Sequence, residues 1–356
     1  MYNALVSIFN KKGMKFMKKI IASLLATATL LSFTSCGTDT SWVYKTEDVT
    51  ITSGMYVGLS LSAYESAKAV EGFDATKTPY KQEIEGKNGL QWVKDEVESA
   101  VYRYIAIERK FAEMGLPFDT ATENYLNSMS EAYYTQYDQA YNYADNGFGL
   151  ESYKKIQTNQ YKNNAIFESL YDEGGSEAVP VDDLTSYFYE NYGKVFYVPV
   201  STKEIDEEGE TVDRNKEDID ADIADITARL EKGEDFQTIL DDYFKELEEK
   251  PEASNYTVIL DKKEIGNTPQ GIFDLITKEK VGAVTAVESG TSYLVAKNLD
   301  IKEDRNDFDN YRSTVLSKVK GDEYNDRIET WAEEIELEVN NASLRKHNPK
   351  NLKINK

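Results

Sequence analysis

DITARLEKGEDFQTILDDY, residues 225–243, joins two helical patterns through one glycine. Upstream, Ile219, Ile223, Ile226 and Leu230 recur at three- and four-residue spacings, one face of a helix over about 219–231. Gly233 stops that helix, and GEDFQTILDDYF opens a second, shorter one. Extended patterns flank the pair. VFYVPV (195–200) is a compact β-rich run, and 256–260 reads as a strand. A short helix over 271–278 follows Pro269, then strands at 283–288 and 293–298 about a Ser289-Gly290 turn. The order strand, helix, helix, strand, helix, strand, strand predicts a small α+β domain over 193–301, with the acidic loop EIDEEGETVDRNKED (204–218) inside it.

Outside this domain the patterns are helical. Trp42–Ile51 (WVYKTEDVTI) reads as extended with a turn, and Ser53 as the cap of a helix through Met55, Leu59, Leu61 and Tyr64. A loop over 72–89 precedes a long amphipathic helix, about 90–114, carrying Val93, Val97, Val101, Tyr104, Ile105 and Phe111. Gly115 and Pro117 end it. A second helix, about 120–144, carries Tyr125, Met129, Tyr133, Tyr137 and Tyr141 at four-residue steps; Gly147 and Gly149 break it. A third spans about 150–171, closed by Gly174-Gly175, and a short one runs from 182 to 192 after Pro180. Residues 53–192 thus form a helical domain. A long helical segment, about 308–339, completes it within 303–340, with a break expected near Gly321. Residues 341–356 read as a basic, mobile tail.

The start of the chain sets the compartment. In KKIIASLLATATLLSFTSC (18–36), two lysines precede an apolar run from Ile20 to Leu31, and small residues lead to the only cysteine. That is the layout of a secretory signal over 1–35, with Met17 a more typical start than Met1. The run is shorter than the roughly 20 residues a membrane span needs. Phe33-Thr34-Ser35-Cys36 resembles a lipobox, which implies acylation of Cys36, a tether over 36–52 and an extracytoplasmic protein anchored by lipid to the bacterial cell membrane. The competing reading is a chance cysteine after an ordinary signal.

Charge and residue usage exclude much chemistry. Five lysines and no acid precede Cys36, so the −23 of the full chain becomes about −28 beyond it. Such a body repels nucleic acid and anionic lipid, leaving the acyl group as the membrane contact. The single histidine, His347, lies in the tail. Unless the tail folds back, no histidine can serve as base or metal ligand in a folded pocket, so Ser-His-Asp and Cys-His catalysis and zinc sites of the usual kind are excluded, and no phosphate-cradling glycine loop occurs. No cofactor and no metal are expected. A pair of carboxylates remains formally possible.

Four stretches, in this order, resemble the SurA/PrsA-type extracytoplasmic peptidyl-prolyl isomerases, which combine a helical chaperone domain with a parvulin domain. They are AIERKFAEMGLPFD (106–119), VPVDDLTSYFYENYGKVF (179–196), the opening 225–243 segment with its Leu-x-x-Gly-x-Asp-Phe, and GIFDLITKEKVGAVTAVESGTSYLVAKNLD (271–300). The resemblance implies an α+β fold in which a parvulin-like domain is inserted into a helical chaperone domain. It also implies a foldase acting on unfolded or partly folded secreted proteins. Active parvulins carry a histidine on the first and last strands. Here the first offers Tyr197 or Val198 and the last Tyr293, while Phe273 could match an apolar pocket residue. The implied domain is therefore catalytically weak or inactive. Tyr197, Phe273 and Tyr293 are the candidate cleft if isomerase activity survives, the tyrosines either bonding across it or simply packing in the core. A solute- or partner-binding lipoprotein is the remaining alternative.

Tyr133, Tyr137 and Tyr141 form one stripe. It reads either as an aromatic cradle for client chains or as the core face of its helix. The acidic surface likewise reads as attraction for basic client segments or as a device for solubility.

Overall fold

The computed structural model describes residues 41–206 and 208–354; the signal reading over 1–35 and Cys36 lie outside the described residues. The fold is α+β. The described chain divides into two compact units, one ending at Ala178 and resuming at Lys320, the other Val179–Val319.

In the first unit, β1 (Trp42–Lys45) pairs antiparallel with β2 (Thr50–Thr52) and, on its other side, with the two-residue strand Glu338–Val339. Helix α1 (Ser53–Ala67) follows β2 directly. Its cap is Thr52 and not Ser53: the Thr52 hydroxyl accepts from the Met55 amide, while Ser53 is buried. In α2 (Gly89–Met114) the expected stripe Val93, Val97, Val101, Ile105 is fully buried. Asn88 caps its start, and Gly115, at φ 60°, ends it in the left-handed conformation that glycine adopts without strain. Helix α3 (Thr120–Tyr141) stops three residues short of the expected Ala144 because Asn142 turns left-handed (φ 53°), and a four-residue turn of helix, Tyr143–Asn146, follows. Helix α4 (Leu150–Tyr171) buries Tyr153, Ile166, Leu170 and Tyr171. Asn159 ties α4 to α2, donating to the Tyr104 carbonyl and to Glu108.

The chain re-enters this unit within a helix that spans Arg305–Ala332. The break expected at Gly321 is absent. One glycine costs a helix only about 1 kcal/mol, and buried Val315 and Leu316 before it, Tyr324 and Ile328 after it, hold the helix on course. The helix also ends earlier than expected, since Val339 pairs with Tyr44 as a strand. The tail is a second correction, because residues 341–354 are built into the unit. Asn341–Lys346 is a short helix capped by Asn340, Tyr80 donates to the Pro349 carbonyl, and Leu352 and Ile354 pack on Val57, Leu61, Phe148 and Tyr153.

The second unit begins with α5 (Val181–Asn191), whose Phe188 meets Tyr192, Phe308 and Tyr311. The chain then enters β3 (Tyr192–Ser201). A small hairpin, Lys203–Ile205 with Thr211–Asp213, occupies much of the expected acidic loop. Helices α6 (Lys216–Glu231) and α7 (Phe236–Tyr243) follow, then β4 (Thr257–Asp261), α8 (Gln270–Lys278), β5 (Val284–Ser289) and β6 (Ser292–Leu299). The four strands form one antiparallel sheet in the order β4-β3-β6-β5. Strand side chains alternate between faces, and both faces are covered. Phe196, Val198, Val200 and Val295 pack under α6 and α7; Val195 and Ala296 pack under α8 through Ile272, Leu275 and Ile276.

Candidate functional site

The 225–243 segment is a structural joint. Asp235 caps α7 by accepting from the Thr238 amide and hydroxyl. Phe236 then lies parallel to buried Phe196, ring centroids 4.1 Å apart. Lys297 reaches across to donate to the Leu230 carbonyl at 2.6 Å. These bonds place α6 and α7 on one face of the sheet.

The expected cleft between Tyr197 and Tyr293 does not exist. Tyr197 stands opposite Ala296 and Tyr293 opposite Val200. Paired residues share a face, so Tyr197 lies on the α8 side with Ala296, and Tyr293 on the α6–α7 side with Val295 and Val200. A sheet separates the two phenols. Tyr197 meets Tyr256 edge-on at 5.6 Å, and Phe273 is half-buried on α8. The three side chains form no common site. Their packing supports the core reading of both tyrosines over a bond across a cleft.

The tyrosine stripe has the opposite outcome. Ser130 is the one residue of α3 that is buried, so the stripe is not a core face. Tyr125 is 63% exposed and Tyr133 38%, with Tyr137 and Tyr141 half-buried. The rings touch in sequence: Tyr133 stacks on Tyr137 at 6.1 Å, Tyr137 meets Tyr141 at 6.1 Å, and Tyr141 stacks on Tyr143 at 5.8 Å. Tyr143 in turn lies edge-on to buried Phe148 at 5.0 Å. A continuous aromatic row thus climbs from the core to the surface. Burial, with the Tyr137 and Tyr133 phenols adding to it, pushes Tyr153 beside this row up to about 12, so it stays neutral through the physiological range.

Sequence reading missed the inner half of the row. Tyr143 and Phe148 lie beyond the four-residue spacing, and the left-handed Asn142 is what swings Tyr143 back onto Tyr141. Asn142 and Asn146 were also unforeseen. They bond the tail, Asn146 accepting from the Lys353 amide at 2.7 Å and donating to its carbonyl at 3.0 Å.

Two clefts lie elsewhere. One, of about 290 Å³, is lined by Arg214, Asp222, Tyr243 and Phe244, and Arg214 bonds Asp222 within it at 2.7 Å. The other, of about 300 Å³, lies in the first unit between Tyr44, Tyr56, Glu98 and Arg345. Neither includes a residue of the expected cleft or of the tyrosine row. Among the described residues, no group of three histidine, cysteine, aspartate or glutamate side chains could hold a metal ion, and no helix is long and apolar enough to cross a membrane.

No family model matches the chain, and no curated protein matches it. Solved structures do. A crystal structure of the foldase protein PrsA from Streptococcus pneumoniae is similar at 12% identity, covering 89% of this chain and 96% of that one, with a TM-score of 0.35. PrsA from Bacillus subtilis is similar at 15% identity over 79% of this chain and 98% of its own, with a TM-score of 0.31. A peptidylprolyl isomerase (PrsA) from Bacillus anthracis gives 15% identity, 72% and 98% coverage, and a TM-score of 0.24.

Proposed function

We propose that this chain is an extracytoplasmic foldase or holdase, tethered to the membrane by lipid at Cys36, that shields unfolded secreted polypeptides by weak aromatic contacts. One observation carries the reading: a row of tyrosines rises from the core onto the surface of a helix with almost no buried residue. Such a surface offers large contact area at small entropy cost, with a polar tip on every ring. The order of the four sequence motifs supports the same reading.

The second unit acts as a scaffold and not as an efficient isomerase. Rotation about the peptide bond carries a barrier of about 18–20 kcal/mol. Lowering it takes polar groups that converge on one proline, and Tyr197 and Tyr293 lie on opposite faces of the sheet.

The decisive experiment dilutes a chemically unfolded client into buffer with the chain in several-fold excess and follows light scattering. Suppressed scattering is expected. Scattering unchanged at every excess overturns the reading. Fatty-acid labelling that is lost in Cys36→Ser checks the anchor.

A further inference from the structure

We infer that the folded C-terminal segment, residues 340–354, is a cationic strip that docks on anionic lipid headgroups and turns its own side of the first unit toward the membrane. The inference rests on the lipid-anchor reading and specifies how the anchored body is oriented.

Charge is divided unevenly along the chain. All 64 acidic residues precede Val339, whereas residues 339–356 carry five lysines and arginines and no acid. The fold leaves these cations unneutralised. Arg345, Lys346, Lys350 and Lys353 are exposed, and among the described residues no carboxylate pairs with any of them. Other cations of the same unit are taken: Lys45 by Glu338 at 3.0 Å, Lys87 by Asp95 at 2.6 Å and Arg109 by Asp48 at 2.8 Å. Lys94 of α2, also without an ion pair, lines one cleft with Arg345, and Glu98 is the single carboxylate lining it. The net charge of −23 predicts repulsion from anionic lipid for the body as a whole; along the strip the sign is reversed.

The strip is pinned along its length, so its cations are ordered in advance. Asn340 donates its amide to the Val43 carbonyl at 2.9 Å and its side chain to the Trp42 carbonyl at 3.1 Å. Tyr80 donates to the Pro349 carbonyl at 2.8 Å, and Asn146 holds Lys353 at both its amide and its carbonyl. Docking therefore costs side-chain freedom but little backbone freedom.

Position favours a membrane over other anions. Through Asn340 the strip begins beside Trp42, and Cys36 precedes Trp42 by six residues. Six residues reach about 20 Å when fully extended, and an anionic surface acts over about 10 Å at 0.1 M salt. Lipid at Cys36 thus keeps the start of the strip at the edge of that field or inside it. There the acidic remainder is repelled, while each lysine or arginine near the surface is worth about fivefold in population. The strip supplies orientation; the acyl group supplies the attachment.

The test uses the chain from Cys36 onward, which contains every described residue. Cys36, the only cysteine, couples it to a maleimide-headgroup lipid, so docking is measured whether or not cells acylate the chain. Vesicles are phosphatidylcholine with or without one third phosphatidylglycerol, and acetylation of each lysine is followed by mass spectrometry. On the anionic vesicles Lys346 and Lys350 should react about fivefold more slowly, with exposed Lys232 of the second unit unchanged. At 1 M salt, where screening shortens to about 3 Å, the difference should vanish. Arg345→Glu/Lys350→Glu should abolish protection of Lys346 with melting unchanged. Equal acetylation on the two vesicles overturns the docking, as does protection that survives in the glutamate variant or extends equally to Lys232. Inorganic phosphate that slows the same lysines without vesicles assigns the strip to a free anion and overturns the membrane. Fatty-acid labelling in cells separates the two levels. Labelled chain without protection leaves the anchor standing and removes the docking, whereas protection without labelling removes the anchor and, with it, any docking in the cell.

Discussion

At the scale of single residues, the side chains that matter most are those placed where two elements meet. Phe236 follows its cap Asp235 and stacks on Phe196, so one residue both starts α7 and presses it on the sheet. Phe236→Ala should cost about 2–3 kcal/mol, somewhat less than a fully enclosed phenylalanine, because the ring is only half-buried. Urea unfolding with an unchanged m value checks it. Arg327 does comparable work in the first unit. Its guanidinium grips both Glu177 oxygens at 2.7 and 2.6 Å and reaches Glu323 at 2.8 Å, while buried Tyr171 donates to the same Glu323. The bond from Arg327 holds Glu177 below its ordinary 4.5; bonds from Lys320, then Tyr171, do the same for Glu323. Lowered carboxylates stabilise the fold above their unfolded value and lose that contribution as pH falls through the folded one. Arg327→Ala should therefore lower Tm by about 2 °C at neutral pH. The gap from wild type should close as pH drops below 4.5. A gap that persists in acid would assign the loss to packing alone.

At the scale of elements, the tyrosine row depends on how closely α1 approaches Phe148. A Cβ at Gly58 would stand 2.5 Å from the Phe148 ring, which Tyr143 and Tyr153 hold in place. Alanine in a helix gains about 1 kcal/mol over glycine, whereas overpacking costs about 1–3 kcal/mol. Gly58→Ala should destabilise by about 1 kcal/mol and shift the near-ultraviolet tyrosine dichroism. A stabilised variant would mean that Phe148 moves freely. The elements were also the most legible level of the sequence. Val93, Val97, Val101 and Ile105 announced α2, and the 225–243 joint announced α6 and α7, because periodicity, caps and glycine stops are local. What failed was non-local. Whether Tyr197 and Tyr293 share a face is decided by the register of β3 on β6, across nearly a hundred residues, and no local pattern encodes it. The tail escaped for a related reason. Its two apolar residues, Leu352 and Ile354, carry no period, yet a cluster built by α1, α3 and α4 captures them. In the stripe, spacing placed Tyr133, Tyr137 and Tyr141 on one face, but only burial could tell a core face from a surface row.

At the scale of the whole molecule, charge and missing histidines act together. A chain of net charge −23 attracts cationic segments over a distance set by screening, about 10 Å at 0.1 M salt and 3 Å at 1 M. Aromatic contact does not fade in this way. Suppression of scattering should therefore divide by client. For a basic unfolded client it should weaken severalfold between roughly 0.05 and 0.5 M sodium chloride, while for an acidic client it should be weak at both. Loss of suppression that is identical for both clients would remove the electrostatic part and leave only aromatic surface. The same protein should accelerate a proline tetrapeptide no more than an inert control. Tyr197 and Tyr293 lie on opposite faces of the sheet and so do not converge on one peptide bond. Turnover that disappears in Tyr197→Phe or Tyr293→Phe would overturn this, because a single phenolic oxygen would then be acting alone from one face of the sheet.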